Sequence, residues 1–238
     1  MKTLDVQVWR GDKNGSFEQF EAPAQENQTV LDVVTWIQRN ADPSLSYRFA
    51  CRVGMCGSCA MTVNGRPRWT CRTHVSRVAK DGKLKIEPLL NLPIIKDLAS
   101  DLKPFFDKWN AARGTFEAAI KREDPLIPIS PDQPERAAAN AAIECINCAV
   151  CYSACDMVSW KPSYLGPAAL NRAWAAWNDV RNDNRLDVLK AVSDDAGCHN
   201  CHSHQSCSEH CPVGLNPTMS IAGLKRATSK ALLKGDLK

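Results

Sequence analysis

The chain has 238 residues, of which 44% are hydrophobic and 24% charged, and its formal net charge is +4. That length allows one large domain or two ordinary ones, each with its own core, and so small a charge gives no argument for a nucleic-acid partner. No apolar run approaches the roughly 18 residues of a membrane span. The start, MKTLDVQVWRGDKNGSFEQF, enters strand-like sequence at once, without a signal-peptide core or an Arg-rich transit pattern, so the protein is expected to stay in the compartment where it is made.

Taken in chain order, residues 4–9 (LDVQVW) and 16–22 (SFEQFEA) alternate as two strands. TVLDVVTWIQ follows at 29–38, with Thr29 as N-cap and Val30, Val33, Val34 and Ile37 at helical spacing. AMTV, the Asn64-Gly65 pair and RPRWTC predict a hairpin, and KLKIEPL at 83–89 a further strand. Strands around one helix, with a cysteine-rich loop between them, predict a β-grasp domain over residues 1–100. Residues 101–136 read as an amphipathic helix and a connecting segment, since EDPLIPISPDQPE holds four prolines in 123–135. From 137 to 238 the pattern is helical, with PAALNRAWAAWNDV at 167–180 and SIAGLKRATSKALLKG at 220–235. The fold class is therefore α+β, a β-grasp domain followed by an all-α domain with cysteines at helix ends. The tail carries Lys225, Arg226, Lys230, Lys234 and Lys238 against Asp236 alone, which suits an anionic membrane surface, an acidic helix or plain solvent.

Twelve cysteines in a chain without an export signal argue for metal rather than disulfides. They fall into three groups of four. Cys51, Cys56, Cys59 and Cys71 have the C-x4-C-x2-C…C spacing of a plant-type ferredoxin, which predicts a [2Fe–2S] cluster. Gly54 and Gly57 allow the loop to curl around it, Ser58 is a possible donor, and Arg52 adds positive charge that favours the reduced state. Cys145, Cys148, Cys151 and Cys155 form the C-x2-C-x2-C-x3-C run of bacterial ferredoxins, in which the fourth cysteine serves the other cluster. Cys201, Cys207 and Cys211-Pro212 repeat that run with its middle cysteine missing; His204 stands in that place. The crossover assigns Cys145, Cys148, Cys151 and Cys211 to a [4Fe–4S] cluster, and Cys155, Cys201 and Cys207 to a [3Fe–4S] cluster. His204 and Cys198 are spare donors and are read as bystanders.

The stretches LSYRFACRVGMCGSCAMTVNG, LPIIKDL, CINCAVCYSAC, YLGPAALNRAW and CPVGLNPT resemble the iron–sulfur subunit of succinate dehydrogenase and fumarate reductase. The resemblance covers essentially the whole chain. It implies a plant-type ferredoxin domain docked on a flavoprotein with FAD, and a bacterial-ferredoxin-like domain on membrane anchor subunits with quinone and, in some members, haem b. Electrons would pass between FAD and quinone through the three clusters, and this chain would hold no dicarboxylate site. It further implies quinone-pocket roles for Trp160, His202 and Lys225, and a place on the cytoplasmic face of a bacterial inner membrane, or on the matrix side of the mitochondrial one. Asp156 departs from the family's proline after Cys155, and a carboxylate there disfavours reduction of the neighbouring cluster. Succinate oxidation is the leading reading and quinol:fumarate reduction the alternative. A soluble, thiol-linked fumarate reductase would need a further cysteine-rich domain. A zinc-stapled binding module would be colourless.

Overall fold

A computed structural model describes residues 3–126 and 128–237; Lys238 of the basic tail, Ile127 of the proline-rich segment and the first two residues lie outside them. The chain divides into two compact units, one of them residues up to Leu102 with Ile146–Ala154, the other Lys103–Cys145 with the chain from Cys155 onward.

In the first unit, β1 (Thr3–Arg10) and β2 (Ser16–Pro23) pair antiparallel from Thr3↔Pro23 to Arg10↔Ser16. Helix α1 (Val30–Asn40) starts at Thr29, whose hydroxyl accepts from the Asp32 N–H while the Asp32 carboxylate accepts from the Thr29 N–H. The hairpin of β3 (Ala60–Val63) and β4 (Arg66–Trp69) turns at Asn64 and Gly65, both at positive φ. A short 3-10 turn, Thr70–Arg72, and α2 (Val75–Val78) lead to β5 (Lys83–Glu87), and a small ribbon follows of β6 (Ile94–Lys96) and β7 (Ala99–Ser100). The sheet order is β2-β1-β5-β3-β4, with β1 and β5 parallel, the expected β-grasp.

Alternation along β1 and β5 turns Leu4, Val6, Val8, Leu84 and Ile86 to one face. There they pack with Val30, Val33, Val34 and Ile37 of α1, and each buried aliphatic contributes about 1.5–3 kcal/mol. The same helix sends Leu31 to another side, into a small cluster with Cys59 and Cys71. One helix thus supports both the sheet and the metal loop.

The other unit begins with α3 (Lys103–Ala111). After the described proline-rich residues, which form no helix or strand, comes α4 (Pro134–Ile143). Helix α5 (Val150–Ser153) belongs to the first unit. The helical unit resumes with α6 (Asp156–Trp160), α7 (Pro167–Asn178), α8 (Arg185–Ser193), a 3-10 turn at Cys198–Asn200, α9 (Ser206–Glu209) and α10 (Pro217–Lys234). Its centre is α7, whose Ala168, Ala169, Leu170, Ala173, Ala175 and Ala176 are buried. These small side chains let α4, α8 and α10 pack against it.

Sequence boundaries put 146–154 in the helical domain, whereas the structure packs it with the β-grasp unit. The reason is hydrogen bonding. Leu90 N donates to Ser153 Oγ at 2.8 Å, and Asn91 Nδ2 donates to the carbonyls of Tyr152 and Ser153 at 3.2 Å.

Asp97 is 1% exposed and closes the loop ahead of the first cysteines. Its Oδ1 accepts from Gly11 N at 2.7 Å and its Oδ2 from Ser46 N at 2.8 Å, while its own N–H donates to the Gly11 carbonyl. Arg10 Nε lies 3.5 Å from Oδ1, and Arg10 Nη2 reaches Asp42 at 2.9 Å. Removing this carboxylate would strand two amides and leave the largely buried Arg10 guanidinium with Asp42 as its close ion-pair partner, at a cost of about 3 kcal/mol. Asp97→Ala is therefore expected to speed hydrogen exchange at Gly11 and Ser46 by about 10²-fold, with the amides of α1 changing less.

Candidate metal centres

Cys51, Cys56 and Cys59 lie on the loop between α1 and β3, and Cys71 lies in the 3-10 turn after β4. The backbone curls as a cluster loop must. Arg52, Gly54 and Gly57 have φ of 59°, 77° and 72°, and Met55 N and Val53 N donate to Cys51 Sγ at 3.2 and 3.5 Å. Cys71 N donates to Cys59 Sγ at 3.5 Å. The Arg52 guanidinium covers the Phe49 ring, 4.7 Å from its centroid.

These thiols occupy unlike environments. The Ser58 hydroxyl and nearby backbone amides draw exposed Cys56 down to about 6, whereas burial, reinforced by Cys59, pushes Cys71 up to about 12. For Cys71 to serve as a metal ligand, the metal would have to supply the charge that lets it lose its proton.

Gly57 has a role besides flexibility. A Cβ there would lie 2.5 Å from Cys148 Cβ and 2.7 Å from Cys148 Cα. The loop carrying the first cysteine group therefore touches the second group backbone to backbone, inside one compact unit. Cys151 is buried in α5 beside it. In the other unit, Cys145 follows α4 and Cys211 follows α9, their N–H groups donating to Ala142 and Ser208 carbonyls.

The helical unit brings Cys155, Cys201 and Cys207 to the wall of one cavity, of about 320 Å³ including its open mouth, together with Asp156, Tyr164, His202, His204 and Thr218. Each sulfur has donors. Met157 and Val158 backbone amides serve Cys155 at the start of α6. Ser203 N is 3.4 Å from Cys201 Sγ, and buried Tyr164 lines the same cavity. Thr218 Oγ1 is 3.3 Å and Ser208 Oγ 3.9 Å from Cys207 Sγ. Burial pushes Cys155 and Cys207 up, with these donors opposing it. Three thiols from separate segments, each hydrogen-bonded, suit an iron–sulfur core whose bridging sulfides carry negative charge. Thr218, Ser208 and Tyr164 are not marked by any spacing in the sequence, although Thr218 closes the CPVGLNPT stretch.

The remaining candidates divide. Cys198 turns away from the cavity; its Sγ is buried, 3.7 Å from Thr228 Oγ1, and burial raises its thiol. His202 and His204 stack with centroids 6.1 Å apart, and Trp160, 67% exposed, meets His204 edge-on at 5.9 Å. Lys225 does not sit on a free basic face, because its Nζ donates to the Cys201 carbonyl at 2.6 Å.

Known proteins share both halves of this arrangement. The model of a 2Fe-2S iron-sulfur cluster binding domain matches residues 3–107, and that of a 4Fe-4S dicluster domain matches 144–216. The mitochondrial succinate dehydrogenase [ubiquinone] iron-sulfur subunit 1 of Oryza sativa subsp. japonica is 35% identical over 207 residues, covering 85% of this chain and 72% of the relative. The fumarate reductase iron-sulfur subunit of Mycobacterium tuberculosis is 32% identical over 225 residues, covering 92% and 88%. The chain belongs to this family of iron–sulfur subunits. A chain of the Mycobacterium smegmatis Sdh1 complex in the apo form, 24% identical, has the same fold, with a TM-score of 0.82 over 96% of each chain.

As a succinate dehydrogenase/fumarate reductase iron–sulfur subunit, the protein is an electron-transfer component of an oxidoreductase complex, α+β in fold. Its [2Fe–2S] and 4Fe–4S domains are the two halves described above.

Three expectations follow from the geometry. Gly57→Ala is expected to lower iron and acid-labile sulfide by the two-iron complement, because the Cys148 backbone cannot retreat cheaply. Gly65→Ala, with nothing within 4 Å of the added Cβ, is expected to retain iron and to lose only about 1 kcal/mol to its left-handed φ. Thr218→Val removes a hydroxyl donor worth about 1 kcal/mol to the Cys207 thiolate. Because negative charge on sulfur is greater in the reduced state, the midpoint potential of a cluster held there is then expected to fall, by less than about 40 mV, in a redox titration followed by EPR.

Proposed function

We propose that Cys51, Cys56, Cys59 and Cys71 hold the [2Fe–2S] cluster, that Cys145, Cys148, Cys151 and Cys211 hold a [4Fe–4S] cluster, and that Cys155, Cys201 and Cys207 hold a [3Fe–4S] cluster. On this reading the chain connects the FAD of a flavoprotein subunit with quinone at a membrane anchor. The observation that carries it is the cavity lined by three hydrogen-bonded thiols with no fourth cysteine on its wall. Bound clusters supply one-electron redox chemistry. The protein's part is to hold the iron, to exclude water from Cys59, Cys71 and Cys207, and to stabilise negative sulfur with N–H and O–H donors.

Phe49, Val53 and Met55 are exposed around the first loop, which supports that face as the flavoprotein side. No helix among the described residues is long and apolar enough to cross a membrane, so membrane attachment would come through anchor subunits, on the cytoplasmic face. Quinone would meet His202, on the cavity wall, and Trp160, whose indole N–H is a fixed donor. Lys225 would act from behind, holding positive charge against the Cys201 carbonyl. Succinate oxidation is the direction proposed, with Trp160 and His202 as its support.

The test is low-temperature EPR on the purified complex. Air-oxidised protein is expected to give a near-isotropic signal close to the free-electron position. Reduction should abolish that signal and reveal the [2Fe–2S] spectrum. Cys207→Ala should lose the first signal and keep the second. A colourless protein containing zinc would overturn the assignment.

A further inference from the structure

The two ferredoxin-like runs share one backbone conformation. In the first, Asn147 (φ 53°) and Ala149 (φ 60°) are left-handed on either side of Cys148, and Ala149 precedes α5. In the second, Ser203 (φ 58°) and Gln205 (φ 65°) are left-handed on either side of His204, and Gln205 precedes α9. Both four-residue helices also end alike. Ala154 N–H donates to the Tyr152 and Val150 carbonyls, and His210 N–H to those of Ser208 and Ser206, with cap φ/ψ of −81°/−5° and −97°/−6°. His204 therefore occupies the backbone position of Cys148.

That conformation is costly to keep. None of the four flanking residues is glycine, and each left-handed residue costs about 1–2 kcal/mol. Such strain is found where it aims a side chain at a functional site. His204 also lines the cavity of Cys155, Cys201 and Cys207, and its ring is bracketed by Trp160 and His202. The other spare donor, Cys198, bonds Thr228 instead.

We propose that His204 is a fourth metal ligand, so that the Cys155–Cys201–Cys207 cavity binds a divalent iron at the open corner of its three-iron cluster. The inference rests on the ligand set proposed above. Imidazole is a known ligand of cluster iron, replacing thiolate in Rieske centres. Its Nδ1, close to Cβ, has a reach comparable to that of a cysteine sulfur. Uptake joins Fe²⁺ to the reduced, neutral Fe3S4 core and yields an Fe4S4 core of charge 2+, with no net electron transferred. Three iron–sulfide bonds and one iron–imidazole bond form, water leaves the iron, and a ring proton passes to solvent only from an imidazolium.

The purified complex, poised with the three-iron cluster reduced, is given one equivalent of iron-57 as Fe²⁺ under anaerobic conditions. It is then desalted and read by Mössbauer spectroscopy and metal analysis. Wild type is expected to retain about one labelled iron per complex in a mixed-valence four-iron environment. His204→Ala should retain at least about tenfold less, while its air-oxidised three-iron EPR signal stays at wild-type intensity. Equal retention in the two proteins, or none in wild type with that signal intact, overturns the role of His204 and leaves the three-thiolate assignment standing. A wild-type complex with neither a three-iron nor a four-iron signal overturns the three-thiolate assignment itself, and the proposal with it.

Discussion

Thiolate burial is the constraint around which both units are arranged. A cysteine must be anionic to bind iron, yet Cys59, Cys71 and Cys207 are buried, where an isolated anion is strongly disfavoured. Two things offset that penalty. Iron, on the proposed ligand sets, would supply positive charge, and backbone amides and hydroxyls supply hydrogen bonds to sulfur, as from Met55 to Cys51, Cys71 to Cys59 and Thr218 to Cys207. On the proposed ligand sets iron binding must displace the thiol protons, and since burial holds Cys71, Cys155 and Cys207 above the ordinary thiol range, cluster assembly would strengthen as pH rises. Exposed Cys56, already drawn down to about 6, would contribute little to that dependence above neutrality.

Amides reach the sulfurs only if the chain turns tightly. Arg52, Gly54 and Gly57 do this in the first loop, and the left-handed pairs 147/149 and 203/205 in the two runs. Tight loops need rigid abutments. Helix α1 is one, since its valines fix it to the sheet while Leu31 packs on Cys59 and Cys71. Asp97 is another, binding the β1–β2 turn and the approach to Cys51 through two amides. Lys225 does the same for Cys201 from α10, and His199 joins the same helix through Thr228, 2.9 Å from its Nε2. Lys225 and Thr228 lie three residues apart on one helical face, so a single surface of α10 holds the turn from Cys198 to Cys201.

Local patterns were legible before the fold was known. Cysteine spacing marked the three groups, Thr29 marked the start of α1, and Asn64-Gly65 marked the hairpin. In each case neighbours in sequence determine the geometry. Long-range pairings left no such mark. Asp97 looks like any charge in KDL, and the bonds that tie Leu90 and Asn91 to Tyr152 and Ser153 join residues about sixty positions apart. Lys225 belongs by pattern to a solvated basic face, because helical periodicity says nothing about a carbonyl across a turn. Cys198 and His204 were equal candidates by spacing. They separate only because the 3-10 turn aims Cys198 at Thr228 while the strained loop aims His204 at the cavity.

The close approach at Gly57 shows how the domain boundary and the function depend on each other. Ile146–Ala154 packs with the β-grasp unit and not with the helices that flank it in sequence. Its place in the β-grasp unit, held by Ser153 and by contact at a residue without a Cβ, puts Cys148 and Cys151, proposed ligands of one cluster, in the same compact unit as the cysteines proposed for another. The segment that would be expected to follow its neighbours in the chain is bound instead to the sheet unit, by hydrogen bonds from Leu90 and Asn91 and by the close approach of Cys148 to Gly57.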